Sequence, residues 1–105
     1  MTPAIAGQAA ALRAAAAFIE REEIPGLRVT AAGPALFIEV PQAAGSPAAR
    51  TGLAARLAAA VGAPGLECRP GLWEEIVTAA GEIGGHRAVI TTVIYDEDKE
   101  EKEAT

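Results

Sequence analysis

Leu72-Trp-Glu-Glu-Ile-Val-Thr-Ala-Ala-Gly-Glu-Ile-Gly-Gly-His-Arg-Ala-Val-Ile-Thr-Thr-Val-Ile94 is the stretch that decides how this chain folds. Trp73–Ile83 and His86–Ile94 read as two strands joined at Gly84-Gly85. A two-residue Gly-Gly loop is a strong hairpin signal, because both glycines can take the positive φ that such turns require. With Ile83 facing His86, the register sets Glu82 opposite Arg87, Ala80 opposite Val89, Thr78 opposite Thr91 and Ile76 opposite Val93. The charge pair and the Thr–Thr pair each contribute roughly 0.2–1 kcal/mol. Gly84 and Gly85 are thus structural turn residues.

Both faces of this hairpin carry apolar side chains. Val77, Ala79, Ala88 and Ile90 line one, and Ile76, Ala80, Val89 and Val93 line the other. The remaining elements decide which face is covered.

Upstream, Thr2-Pro3 places a capping residue before a proline at the first helical position, and Ser46-Pro47 repeats the pattern. The first helix is expected to run to about Glu22, with Ile5, Leu12, Ala16 and Ile19 as its buried stripe. Phe18 lies roughly 120° from that stripe, beside Gly7, Ala11 and Ala14, on a second face without an assigned neighbour. The second helix is expected over Pro47–Val61, burying Leu53, Leu57, Ala60 and Val61. Arg50 and Arg56 flank it, their stems over apolar edges and their heads in water.

Leu27–Ala31 alternates as a half-buried strand does, Gly33-Pro34 turns the chain, and Ala35–Val40 returns. Leu36, Ile38 and Val40 share one face; Phe37 and Glu39 point the other way. Leu66–Arg69 reads as a short strand leading into the hairpin. The order is α-β-β-α-(β)-β-β. The expected architecture is an α+β two-layer sandwich, with two helices on one face of an antiparallel sheet.

The chain has 105 residues and a formal charge of −5, unevenly placed. Segment 96–105 sets six acidic residues against Lys99 and Lys102, for −4. Residues 1–95 set eight glutamates against seven arginines, for −1. We read 1–95 as a single domain and 96–105 as an acidic disordered tail. A near-neutral body with an acidic tail does not suit a polyanion-binding surface. The lone Cys68 makes no internal disulfide, which fits a reducing compartment. Met1–Ile19 has no basic leader and is too weakly apolar to be a signal or a span. The expected location is cytoplasmic, without a membrane.

Chemistry-bearing residues are sparse. His86, the only imidazole, sits beside the glycine turn with no second histidine and no reactive serine or cysteine at a recognisable spacing, so it reads as a solvated turn residue. Cys68 lacks a CxxC partner and reads as a buried or edge-strand thiol. Glu74 and Glu75 are adjacent in a strand and point to opposite faces. Glu20 and Glu23 share a helix end where the macrodipole disfavours negative charge, and read as solvated. Gly81–Gly85 is not a phosphate loop, since no Gly-Lys-Ser/Thr follows. No catalytic, cofactor-binding or metal-binding residue is assigned.

The order of features resembles a group of small, uncharacterised actinobacterial proteins, often carried by phages or integrative elements. The resemblance rests on Ala14-Ala-Ala-Ala-Phe-Ile19, Leu27-Arg-Val29, Val40-Pro41, Leu53–Gly62, Trp73 and Gly81-Glu-Ile-Gly-Gly-His-Arg87. It covers most of the body and excludes the tail. It implies a setting and no site.

The expected function is that of a non-enzymatic interaction module, accessory or regulatory, acting as a homodimer. Its candidate interface residues are Phe18, Phe37, Ile76, Val89 and Val93. The runner-up is a nucleic-acid-associated regulator using dispersed arginines in a dimer. A small-molecule binder or enzyme comes last, since no reactive constellation exists.

Overall fold

The computed structural model describes residues 2–95. The acidic segment 96–105, expected to be disordered, lies outside the described residues. Helix α1 spans Pro3–Glu22 and α2 spans Pro47–Ala60. Both begin as the Thr-Pro and Ser-Pro pairs dictate. Thr2 Oγ1 accepts from the Ile5 amide at 3.3 Å, and Ser46 Oγ accepts from the Ala49 amide at 3.2 Å. Each cap satisfies a donor that the helix cannot, for about 1 kcal/mol. α1 ends at Glu23, which takes the left-handed conformation (φ 54°) and donates its N–H to Ile19 O.

Five strands follow in the expected sequence: β1 (Arg28–Ala32), β2 (Ala35–Glu39), β3 (Glu67–Pro70), β4 (Glu74–Ile83) and β5 (His86–Tyr95). A 3₁₀ turn, Gln42–Ala44, links β2 to α2. They form one sheet in the order β1-β2-β5-β4-β3. The β4–β5 register is the one the Gly-Gly loop sets, with Ile83 opposite His86 and Ile76 opposite Val93. Gly84 and Gly85 both adopt positive φ, 57° and 82°.

The sheet is mixed where an all-antiparallel one was expected. β2 lies parallel to β5, Leu36 beside Ala88 and Glu39 beside Thr91. After β2 the chain passes through α2 and the β3–β4 strands before returning, and a parallel neighbour needs a crossover of that length.

Both helices cover the same face. α1 packs on β1 and β2, and α2 on β4 and β5. The core is built from Ala11, Phe18, Leu36, Ile38, Leu57 and Ile90, among others.

The buried stripe of α1 is rotated from the expected one, of which Ile19 alone packs, partly buried, against the core. Ala11, Ala15 and Phe18 are buried, Phe18 being 1% exposed, while Ile5 and Leu12 face solvent. Phe18 is therefore a core residue and not an interface residue. Alanines let the helix backbone settle close to the sheet, where the larger Leu36, Ile38 and Ile83 fill the layer from below. The closeness is visible at the hairpin turn, where a Cβ on Gly84 would lie 3.1 Å from Ala14 Cβ. α2 approaches closer still. A Cβ on Gly81 would lie 2.2 Å from Val61 O, and the neighbouring Glu82 amide donates to that same oxygen at 2.9 Å.

Arg50 also departs from expectation, being 1% exposed. Its Nε donates to Gly45 O at 3.0 Å and its Nη1 to Val93 O at 2.7 Å. The cause lies in the sheet. β2 leaves the ladder at Val40-Pro41, whose last bonds to β5 are Val40 N–H to Thr91 O and Thr92 Oγ1 to Val40 O. The carbonyl of Val93, two residues on, points the same way. Arg50 supplies a donor where β2 has gone.

Candidate protein-interaction surface

The alternation that buries Val77, Ala79, Ala88 and Ile90 under the helices turns the other half of each strand outward. Register places Thr30, Phe37, Val89 and Ala80 side by side in one row across β1, β2, β5 and β4. The next row is Arg28, Glu39, Thr91, Thr78 and Glu67, and beyond it come Val93, Ile76 and Arg69. No described residue of the helices covers this face. Phe37 is 42% exposed, Ile76 and Tyr95 are exposed too, and Val89 and Val93 are half-buried between their neighbours. Phe37, Ile76, Val89 and Val93 are thus brought onto one surface, and Phe18 is not.

The charges on this face are mixed. Arg28 pairs with Glu39 at 3.7 Å, and Arg87 stands opposite Glu82 in the register. Arg69 occupies the outer strand near Glu67, and Glu74 closes the far end opposite Tyr95. Three arginines among four glutamates leave no single-sign field.

The two ends of the sheet differ. At the Gly84-Gly85 end, β2 and β5 start nearly level. At the other end β2 stops at Glu39, beside Thr91, while β5 continues to Tyr95. The β5–β4–β3 half therefore projects roughly 13 Å past β1 and β2, at about 3.4 Å per residue. Two features result. One is a notch of about 210 Å³ lined by Arg28, Glu39, Val40, Pro41, Val93 and Tyr95, among others. The second is the β3–β4 turn, where Gly71 N–H donates to Glu74 O at 2.6 Å and the chain throws out Leu72 and Trp73. They are 79% and 69% exposed.

The sequence puts Trp73 at the start of the first hairpin strand, whereas β4 begins at Glu74, and neither Leu72, Trp73 nor Tyr95 is among the expected interface residues. The signal lay in Pro70-Gly71, a turn pair with a large apolar pair directly behind it. In so aromatic-poor a chain, a tryptophan at a turn rather than in a strand stands out.

The other candidates disperse. His86 Nδ1 lies 3.1 Å from Pro34 O; a carbonyl only accepts, so the proton sits on Nδ1 and the ring ties the β4–β5 turn to the β1–β2 turn. Cys68 is exposed on the edge strand β3. Glu22, at the end of α1, meets Arg21 Nε at 3.6 Å and Arg56 Nε at 4.0 Å, while Arg56 Nη2 donates to the Glu22 carbonyl. Beside them a groove of about 430 Å³ runs between Ile24, Pro25, Pro41, Ala44 and Leu53. Among the described residues no three His, Cys, Asp or Glu side chains come together as a metal site. No described helix is long and apolar enough to cross a membrane. Comparison with known protein families, curated proteins and solved structures finds no match to this chain, so the surface is read from its own geometry.

Proposed function

We propose that this protein is a non-enzymatic interaction module, accessory or regulatory to other machinery, whose working surface is the open face of its sheet. The observation that carries the reading is the uncovered apolar row Phe37–Val89–Ala80 with Val93, Ile76 and Tyr95 beyond it. Contiguous apolar surface is costly to leave in water, and on a folded chain it marks a place where something docks. A half-apolar sheet face with threonines at its centre and charges at its rim has the make-up of an interface that forms and parts, with a dry middle and a wet edge. The interleaved glutamates speak against nucleic acid, which needs an uninterrupted basic strip to release counterions.

Photo-crosslinking tests the reading. A photoreactive residue at position 89 is expected to form protein adducts in cells producing the chain. The same residue at position 55, on the exposed back of α2, is expected to form few. Equal labelling from both positions, or none from 89, would count against the open face as the working surface.

A further inference from the structure

We infer that the occupant of the open face is a second copy of this chain, placed by a two-fold axis running along β5, with the Leu72–Trp73 turn of each copy seated in the notch of the other. The inference rests on the open face being the working surface and names what covers it.

The notch and the turn lie at the same end of the sheet, on opposite sides of β5. β1 and β2 fall short on one side, and β3 and β4 run on to Leu72–Trp73 on the other. A half-turn about β5 exchanges left and right and keeps the ends together. It lays the β3–β4 turn of one copy over the shortened β1–β2 side of its partner, and does so twice, as an isologous interface requires. The notch offers the flat Pro41 and the Tyr95 ring, against which an indole can pack.

The rest of the face agrees with that axis. Phe37 on β2 comes over Ala80 on β4 of the other copy, a large side chain over a small one in the same row. Arg28 on β1 comes over Glu67 on β3, opposite charges on the two outermost strands. β5 meets β5 through Val89, Thr91 and Val93.

The area is also right. β4 and β5 have ten residues each, β1 and β2 five and β3 four, which at about 4.8 Å between strands and about 3.3 Å per residue present a face of roughly 500–550 Å². With about 150–250 Å² from a buried tryptophan, each copy loses roughly 700–750 Å², close to the size of a standard stable interface.

Trp73 is the only tryptophan, so its fluorescence reports this contact alone. Purified protein is followed by light scattering, emission maximum and acrylamide quenching up to about 100 μM, where an interface with Kd of 1–10 μM is mostly formed. The mass is expected to double. Over the same concentration range Trp73 emission should move to shorter wavelength and its quenching fall several-fold. Trp73→Ala, read by mass alone, should keep the wild-type melting temperature and weaken the dimer at least about 30-fold, since each copy loses a buried tryptophan anchor. A doubled mass with Trp73 still fully quenchable would overturn the axis. A mass that keeps rising with concentration would overturn the closed pair. A mass that never doubles would overturn the second copy; crosslinking from position 89 to another protein would then leave the interaction surface standing.

Discussion

Arg50→Met replaces a buried cation with an apolar side chain of similar reach, and the structure supplies the terms of its effect. Arg50 donates to Gly45 O at 3.0 Å and to Val93 O at 2.7 Å. A hydrogen bond from a charged donor contributes about 1.5–3 kcal/mol net, so two put roughly 3–6 kcal/mol at stake. Against this stands the cost of keeping a guanidinium out of water, several kcal/mol before its partners are counted, which methionine does not carry. The substitution removes one side only. Both carbonyls stay, and each loses a donor, at a cost of about 1–3 kcal/mol apiece. The orphaned acceptors should outweigh the relief, leaving the variant about 2–3 kcal/mol less stable. For a domain of this size that lowers the melting temperature by roughly 10–20 °C. Urea unfolding monitored by circular dichroism should give a lower midpoint at unchanged slope, as a change in stability without a change in unfolded-state compactness does. Arg50→Lys keeps the charge but not the planar fork that spans two carbonyls, and should fall between. A methionine variant as stable as wild type would refute the reasoning. It would mean that the end of β2 needs no substitute donor.

Three further substitutions probe the backbone. Gly81→Ala drives a methyl into Val61 O, 2.2 Å from its ideal position, and should cost about 1–3 kcal/mol in a thermal melt; an unchanged melt would mean that α2 sits further from β4. Gly84→Val places a β-branched residue at φ 57° and against Ala14, and should cost more than about 1 kcal/mol by the same assay. Glu23→Gly should do the opposite, raising stability by about 0.5–1 kcal/mol, because Glu23 holds a left-handed conformation that glycine takes freely and its charge lies at the negative end of α1. A loss there would show that the Glu23 side chain has a role of its own.

What the sequence disclosed and what it withheld follow from the range of the interactions involved. The β4–β5 register could be read because a two-residue loop leaves little freedom, and one slip would exchange the faces of every side chain. The helix starts could be read because a cap and a proline act within four residues. The parallel seating of β2 beside β5 could not, since nothing near Ala35–Glu39 says which strand some fifty residues on will lie beside it. The face of α1 differs from the expected one because hydropathy favours Ile5 and Leu12. Packing onto a nearby sheet favours Ala11 and Ala15, with Phe18 filling the gap. Arg50 looked like an edge residue because the carbonyl it serves belongs to Val93, on a strand brought there only by the fold. The open-face residues Phe37, Ile76, Val89 and Val93 were legible from alternation. The Leu72–Trp73 turn was not, because only the unequal strand lengths make it a projection beside a notch.

The claim that the open face is a surface for docking and not part of the core meets its most direct test in Val89→Glu combined with Val93→Lys, studied by sedimentation and thermal melting together. The two changes put opposite charges on the outward side of β5 while leaving Ala88, Ile90 and Thr92 beneath the helices untouched. The expected result is a folded protein with a cooperative melt and the 10.7 kDa mass of one chain, at concentrations where the proposed pairing has the wild type sediment as two. A double variant that unfolds would contradict the account, because it would show that this face is interior.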